Sequence, residues 1–315
     1  MAYYVGVDIG GTNIKAGVVD DDSKKIISEL SIPTGAHRNQ NIVLQDILKV
    51  INDVTQNANL KISDIAAVGM GSPGWVETEK GTVVYNNNLG WRDFKIAVLV
   101  NDNLKIPAVI VNDADAAALG EVVAGSAKGA KSAIIITLGT GVGVGIVVNQ
   151  KIWHGSEFGH MTIQRGGRLC TCGKRGCFEA YASATGLINM TKDAIKENPN
   201  STLAEIAEIY GEVTGLTAFE AAEKGSSTAE KVIDEYISYL ACGLVNLIDG
   251  LHPEIISLGG GIAKQGEKLL TPLREKIALE VYGEPGKKIN PTKIVNCTLG
   301  YKAGVIGAAM AAKND

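Results

Sequence analysis

The stretch that decides the fold is YYVGVDIGGTNIKAGVV, residues 3–19. Its first half alternates as a β-strand does, the pair Gly10-Gly11 interrupts it, and a second apolar run over 14–19 follows at once. Two such runs around a short glycine turn predict a β-hairpin. A third run over 26–32 extends the hairpin into a meander of three strands.

The same pattern returns in AIIITLGTGVGVGIVV, residues 133–148, as a strand, a Gly-Thr-Gly turn and a returning strand. Apolar runs predict further buried strands near 65–70, 109–111, 255–258 and 293–297. Helical spacing predicts helices near 40–57, 114–124, 231–249, 263–281 and 303–312. We interpret the repeated hairpin as an internal duplication. It predicts two α/β lobes, a smaller one over 1–112 with 300–315 and a larger one over 113–299.

Composition narrows the function classes. Of the 315 residues, 45% are hydrophobic and 20% are charged, which excludes wholesale disorder. A formal net charge of −4 argues against a nucleic-acid-binding surface. Neither a leader sequence nor an apolar run of about 20 residues is seen, so we expect no secretion signal and no membrane span. Three closely spaced cysteines favour metal in a reducing compartment, hence a cytoplasmic protein.

The hairpin turn over residues 8–12 has the residue types of a phosphate site. Gly10 and Gly11 let backbone N–H groups approach an anion, and Thr12 and Lys15 add a hydroxyl and a charge. Asp8 suits such a site only with Mg²⁺ between the carboxylate and the phosphate. The alternative is an ordinary hairpin turn.

Two more glycine turns end predicted strands, and together the three favour nucleotide binding. Their candidate residues are Thr140, Gly141, Gly260 and Gly261. No G-x-x-x-x-G-K-[ST] sequence is present, which excludes a Walker-type ATPase. The run Gly139-x-Gly141-x-Gly143 feeds a strand rather than a helix, so it does not fit a dinucleotide fingerprint.

Polar side chains follow the buried strand that ends near residue 111. α/β folds place ligands at such strand ends, and the carboxylate of Asp113 can accept a proton from an attacking hydroxyl. Asp115 is a rival for that role, and a helix N-cap is the structural alternative. The amides over 86–88 can bracket sugar hydroxyls, although these residues taken alone favour an ordinary turn. We interpret His37, His154 and His252 as structural or surface residues.

A cysteine cluster is the most specific motif. Three thiols within eight positions, with glycines to turn the chain, suit tetrahedral Zn²⁺, and His160 is the natural fourth ligand to Cys170, Cys172 and Cys177. A closed set of four ligands predicts a structural ion that pins the loop carrying Glu157 and Glu179. The C-x-C spacing argues against a thioredoxin-like redox pair.

The segments 8–12, 112–121, 157–160 and 170–179 resemble, in this order over essentially the whole chain, the ROK family (repressor, open reading frame, kinase). The resemblance implies an actin-like (ribonuclease H-like) ATPase fold of two α/β lobes with a cleft between them. It implies Mg²⁺-dependent transfer of the γ-phosphoryl group of ATP to the 6-hydroxyl of glucose in carbohydrate metabolism, by a homodimer or a tetramer. Mannose, fructose, N-acetylglucosamine and N-acetylmannosamine are the alternative substrates.

The resemblance also assigns roles to single residues. It makes Asp113 the general base, places Asp8 on the Mg²⁺ side, and gives the zinc ligands as His160, Cys170, Cys172 and Cys177. The positions that match ATP contacts are Thr12, Thr140 and Gly260. The positions that match sugar contacts are Gly74, Asn88, Asn112, Glu157, His160 and Glu179. Phe158 and Asp115 depart from the family, whose members often have an aliphatic residue and Asn there.

Two other classes fit less well. The family also contains sugar-responsive repressors with an added N-terminal helix-turn-helix, for which a first strand at Tyr3 leaves no room. An actin-like assembly or chaperone ATPase has no use for the cysteine cluster.

Overall fold

The computed structural model describes residues 2–35, 38–86, 89–283 and 291–314. Its strands are β1 (Tyr3–Ile9), β2 (Asn13–Asp20), β3 (Ile26–Pro33), β4 (Ile65–Ser72), β5 (Trp75–Glu77), β6 (Thr82–Asn86), β7 (Trp91–Phe94), β8 (Ala108–Asn112), β9 (Ser132–Leu138), β10 (Val142–Val148), β11 (Lys151–Ile152), β12 (Ile255–Gly260) and β13 (Lys293–Asn296). Its α-helices are α1 (Gln40–Asn57), α2 (Ile96–Leu104), α3 (Asp113–Ala124), α4 (Glu179–Ala182), α5 (Ala184–Glu197), α6 (Thr202–Tyr210), α7 (Thr217–Glu223), α8 (Ser227–Leu251), α9 (Glu267–Glu280) and α10 (Lys302–Asn314).

The two main sheets repeat one topology. The first has the strand order β3-β2-β1-β4-β8, and the second has the order β11-β10-β9-β12-β13. In the first, β1 and β3 run antiparallel to β2, whereas β4 is parallel to both β1 and β8. In the second, β10 and β11 are antiparallel, and β12 and β13 are parallel. The predicted duplication, with a hairpin opening each half, is confirmed.

The chain divides into two compact units. The first comprises Met1–Ile135, Gly145–Ser156 and Cys297–Asp315, and the second comprises Ile136–Val144 and Glu157–Asn296. Residues 113–135, 145–156 and 297–299, which are predicted for the second lobe, belong to the first unit. Within that unit, α3 packs closely against α10 and also contacts β4 and β11.

Alternation along β1 and β4 divides the first unit into layers. Val5 and Val7 belong to a buried apolar cluster that includes Ile47 and Ile51 of α1. Side chains alternate along a strand, so the glycines between the buried apolar residues of β1 and β4 face the other side of the sheet. A Cβ atom added at Gly69 would lie 1.7 Å from the Ala308 carbonyl oxygen, so the sheet meets the backbone of α10 there. Asp8 shares this face, where Gly304 of α10 lies against its carboxylate.

The second unit packs its helices around α8. Tyr236 of α8 is fully buried and donates a hydrogen bond of 2.7 Å from its hydroxyl to the Ala182 carbonyl oxygen. Phe178 lies against Gly243 of the same helix, where an added Cβ would come within 2.2 Å of the ring. This packing fixes the end of the cysteine loop, which runs directly into α4.

Some local features differ from the sequence predictions. The predicted helix over 263–281 is interrupted at Gly266, whose φ of 58° ends a 3₁₀ helix (Ile262–Gln265) before α9 begins. A small sheet of order β5-β6-β7 had no counterpart among the predicted elements. Its strands have three to five residues, too few for a clear periodic pattern. Among the described residues, no helix is long and apolar enough to cross a membrane.

Candidate functional site

The turn between β1 and β2 holds the first candidate residues. Asp8 and Lys15 are opposite one another in the hairpin register, and Lys15 Nζ lies 3.9 Å from Asp8 Oδ2. A backbone hydrogen bond of 2.9 Å from Gly10 N–H to Asn13 oxygen closes the turn, whose tip exposes Gly11 and Thr12. Burial raises the pKa of Asp8, and the Lys15 ammonium opposes that rise. The turn therefore presents a carboxylate, an ammonium and a hydroxyl within one hairpin.

The end of β8 separates the helix cap from the candidate base. Asn112 is the N-cap of α3, and its Oδ1 accepts hydrogen bonds from Ala114 N–H at 2.9 Å and from Asp115 N–H at 3.4 Å. Its Nδ2 donates a hydrogen bond of 3.0 Å to the Gly74 carbonyl oxygen. Asn112 is the N-cap, and Asp113 is the first residue of the helix. The half-buried carboxylate of Asp113 is therefore not needed to cap α3.

The pKa of Asp113 suits proton transfer near neutral pH. Burial raises this pKa to about 6, the negative charges of Asp8 and Asp115 add to the rise, and the Ala114 N–H opposes it. A carboxylate with such a pKa is ionised at neutral pH yet more basic than an ordinary aspartate. Asp113 can therefore accept a proton from a hydroxyl.

Asp115, the rival base, has another partner. Its side chain is only 5% exposed, and its Oδ2 lies 3.6 Å from Nδ1 of His154. Burial raises the pKa of Asp115, and the hydrogen bond with His154 opposes that rise. Since residues two apart on a helix point to different sides, Asp113 and Asp115 do not share a face. The pair also gives His154 a structural contact that the sequence had not revealed.

The segment after β4 places Gly74 but leaves part of the predicted sugar site undescribed. Gly74 has a φ of 94°, and an added Cβ would lie 2.2 Å from the Tyr85 carbonyl oxygen. Asn86 is buried, donates a hydrogen bond of 2.8 Å to the Pro73 carbonyl oxygen and accepts one of 3.1 Å from Leu89 N–H. Its amide therefore holds the loop. Asn88, like Asn87 and His37, lies outside the described residues.

The Gly-Thr-Gly turn of the second unit is joined to α4 and α5. The Thr140 carbonyl oxygen accepts a hydrogen bond of 2.7 Å from the Thr185 hydroxyl, and Gly139 oxygen accepts one of 2.8 Å from Ala184 N–H. A Cβ added at Gly141 would lie 2.3 Å from Glu179 Oε2, so a side chain there would displace the Glu179 carboxylate. Gly260 ends β12 with a φ of 89°, and Gly261 is the N-cap of the 3₁₀ helix that follows.

The cysteine loop gathers four metal-ligating side chains. The ligand atoms of His160, Cys170, Cys172 and Cys177 all lie within 4.8 Å of one another. Cys170 Sγ is 3.6 Å from His160 Nδ1, and Cys172 Sγ is 3.7 Å from Cys177 Sγ. Tetrahedral zinc, with Zn–S of about 2.3 Å and Zn–N of about 2.1 Å, separates its ligand atoms by about 3.5–3.8 Å. Both the donor set and these two distances fit zinc.

Glu179 links this loop to the Gly-Thr-Gly turn. Its Oε1 accepts a hydrogen bond of 2.9 Å from the Thr171 hydroxyl, and its Oε2 accepts one of 3.1 Å from Val142 N–H. Glu157 is exposed and precedes a 3₁₀ helix (Phe158–His160). Since Nδ1 of His160 faces the cysteines, Nε2 is the ring nitrogen available for another role.

A cavity of about 350 Å³ in the second unit brings predicted residues together. Thr140 and Glu179, assigned to ATP and sugar respectively, both line it. Thr171, Thr185 and Asn189 add polar groups that the sequence analysis did not single out. No short motif marks these three residues, because their place in the cavity depends on how α5 packs beside the cysteine loop.

Comparison with known proteins adds a family to this geometry. The model of the ROK family matches residues 4–315. The chain belongs to the ROK family. It is 37% identical over 319 residues to the glucokinase of Halalkalibacterium halodurans, an alignment that covers 99% of this chain and 96% of that protein. It is 34% identical to the glucokinase of Streptomyces coelicolor, over 98% of this chain and 97% of that protein.

A solved structure supports the same assignment. The crystal structure of a ROK family glucokinase from Streptomyces griseus, in complex with glucose and AMPPNP, matches with a TM-score of 0.80. The two chains are 32% identical, and the match covers 100% of each. The predicted actin-like ROK fold is thereby confirmed for this chain.

The metal cluster of this ROK protein can be tested directly. We expect the purified chain to hold one zinc ion and Cys172→Ser to lose most of it, because a hydroxyl is a much poorer zinc ligand than a thiolate. Cys172 is exposed, so the substitution disturbs little packing. Cys242→Ser, on α8 and outside the cluster, is the matched control. Equal zinc contents of the two variants by elemental analysis would contradict the assignment.

Proposed function

We propose that this chain is an ATP-dependent glucokinase, which transfers the γ-phosphoryl group of ATP to the 6-hydroxyl of glucose and releases glucose 6-phosphate and ADP. The observation that carries the proposal is Asp113, a half-buried carboxylate with a raised pKa at the end of a parallel strand. The glucokinases to which the chain is similar over its full length support glucose as the acceptor.

Asp113 acts on the acceptor hydroxyl. Its carboxylate takes the proton of the sugar 6-hydroxyl while the oxygen attacks the γ-phosphorus, and the bond from phosphorus to the β,γ-bridging oxygen breaks. Phosphoryl transfer needs mainly in-line positioning and stabilisation of charge, so a single base suffices. Asn112 contributes by capping α3, which fixes the direction in which Asp113 leaves the helix.

The glycine turns and the other polar residues bind the nucleotide, Mg²⁺ and the sugar. Thr12 with Gly10, Gly11 and Lys15, and Thr140 with Gly141, Gly260 and Gly261, hold the nucleotide phosphates and adenosine. When bound, Mg²⁺ neutralises phosphate charge, and Asp8 is the carboxylate on its side. Gly74, Asn88, Asn112, Glu157, His160 and Glu179 hold sugar hydroxyls, because amides and carboxylates match the donors and acceptors of a neutral polyol.

The proposal also covers the role of zinc, the cellular compartment and the oligomeric state. Zinc bound by His160 and the three cysteines is structural, since a closed set of four ligands leaves no position for substrate. Its role is to fix the loop between His160 and Glu179. A thiol-rich site of this kind suits a reducing compartment, so we place the enzyme in the cytoplasm. The family resemblance supports a homodimer, with a tetramer as the alternative.

A substrate panel tests the activity. With ATP and Mg²⁺, we expect the highest kcat/KM for glucose, above mannose, fructose, N-acetylglucosamine and N-acetylmannosamine, in an assay that follows ADP release. Polyphosphate in place of ATP tests the donor. A higher kcat/KM for another hexose would correct the substrate, and no turnover with any hexose would contradict the function.

Replacing the base tests the mechanism. We expect Asp113→Asn to bind glucose nearly as the wild type does but to lower kcat by about 10²- to 10⁴-fold, the usual contribution of general acid–base catalysis. Asp115→Asn, which removes a carboxylate already paired with His154, is the control and keeps most of the activity.

The pH profile of the wild type gives the signature of the same group. Protonation removes the base, so kcat/KM falls about tenfold per pH unit below the Asp113 pKa of about 6. Full turnover by Asp113→Asn, or a wild-type rate that stays constant well below that pH, would show that another group is the base.

A further inference from the structure

Glu121 of α3 is a fully buried side chain whose carboxylate accepts several hydrogen bonds. Its Oε2 accepts hydrogen bonds from Ser126 N–H at 2.7 Å and from the Ser126 hydroxyl at 2.9 Å. Its Oε1 accepts hydrogen bonds from Thr298 N–H at 3.1 Å and from Leu299 N–H at 2.9 Å. A buried carboxylate is costly unless it is hydrogen-bonded in this way. The mechanism proposed above gives this group no role.

The partners of Glu121 lie at the start of α10. Thr298 and Leu299 are 177 and 178 residues away along the chain, just after it passes from the second unit into the first between Asn296 and Cys297. α10 begins at Lys302. The carboxylate therefore fastens the segment leading into α10 to the second half of α3, and both ends of this contact belong to the first unit.

The interface between α3 and α10 includes two places where the backbones of the helices meet. A Cβ added at Gly307 would lie 1.6 Å from the Ala116 carbonyl oxygen, and one added at Gly120 would lie 2.2 Å from the Ala303 carbonyl oxygen. At these points the two helices touch backbone to backbone. Interlocking side chains normally set the register of packed helices, and glycines supply none. Buried polar groups can fix register where apolar packing does not.

The register of α3 and α10 bears on two carboxylates. Asp113 is the first residue of α3, and Gly304 of α10 lies against Asp8. A shift of one helix along the other would change the placement of Asp113 relative to Asp8. We infer that Glu121 is a positioning residue for phosphoryl transfer: its buried carboxylate locks α3 and α10 in the register that places Asp113. The inference rests on the proposed kinase activity.

Glu121→Gln tests the positioning role. Glutamine keeps the size of the side chain but sets an amide N–H₂ group against N–H donors, so part of the clamp is lost. We expect kcat at saturating glucose and ATP to fall by about 10- to 100-fold, the effect of a misplaced catalytic group. KM for glucose should stay close to the wild-type value, because Glu121 binds no substrate. Both constants are measured below the unfolding transition of each variant.

Thr55→Val is the matched control. It removes a buried hydrogen bond of 2.7 Å to the Ile51 carbonyl oxygen in α1, in the same unit but away from α3 and α10. We expect it to lower the melting temperature without changing kcat. A milder variant, Ser126→Ala with Thr298→Val, removes only hydroxyl donors from Glu121 and decides the question if Glu121→Gln does not fold. We expect it to lower kcat less, in the same direction.

The outcomes separate this inference from the proposed function. No hexose phosphorylation by the wild type would end the proposed function, whatever the variants do. An active wild type with an unchanged kcat in a folded Glu121→Gln, or in the milder variant when Glu121→Gln is unfolded, would overturn the positioning role. A fall in kcat that Thr55→Val reproduces would also overturn it, because the loss would then follow from stability alone.

Discussion

Helix α10 lies in direct backbone contact with the first sheet and with α3, and the candidate residues of the first unit depend on that contact. Gly69 of β4 and Gly307 of α10 are sites of this approach, where the added Cβ of any other residue would meet a carbonyl oxygen at less than 2 Å. Because well-packed interiors cannot absorb such an overlap without moving, these glycines determine how closely α10 approaches the sheet and α3. Asp8 and the helix that begins with Asp113 are placed against this layer.

The same layer gives Asp113 its chemistry. The carboxylate is half-buried at the end of β8, Asn112 relieves it of the capping role, and the charge of Asp8 helps to raise its pKa. Asp115 lies two residues further along α3, where its buried carboxylate contacts His154 instead. The fold thus gives Asp8, Asp113 and Asp115 different surroundings. Those of Asp113 suit it to take a proton near neutral pH.

In the second unit, Glu179 connects the candidate residues. One carboxylate oxygen binds the Thr171 hydroxyl of the cysteine loop, and the other binds Val142 N–H beside the Gly-Thr-Gly turn. A metal held by His160 and the cysteines would fix one end of this link, and α4, which packs against α8, fixes the other. The proposed zinc ligands, the proposed sugar residue Glu179 and the Gly-Thr-Gly turn therefore belong to one connected part of the second unit.

The sequence alone could predict what local patterns encode. Period-two runs around glycine turns predicted both hairpins, and the spacing of the cysteines with His160 predicted a cluster that the structure assembles. Contacts between distant residues had no such signal. Glu121 meets Thr298 across 177 positions, and Glu179 meets Val142 across 37. Gly307 lies in an alanine-rich helix, and the sequence does not show that its position opposite Ala116 requires glycine.

Urea unfolding of Gly307→Ala beside Gly250→Ala tests the central constraint most directly. Both glycines lie in helices, where alanine alone would stabilise by about 0.5–1 kcal/mol, but an added Cβ meets Ala116 oxygen at 1.6 Å in one case and nothing within 4 Å in the other. We expect Gly250→Ala to be neutral or stabilising and Gly307→Ala to lower the free energy of unfolding by about 1–3 kcal/mol or more. Equal or greater stability of Gly307→Ala would show that the contact between α3 and α10 does not constrain the site.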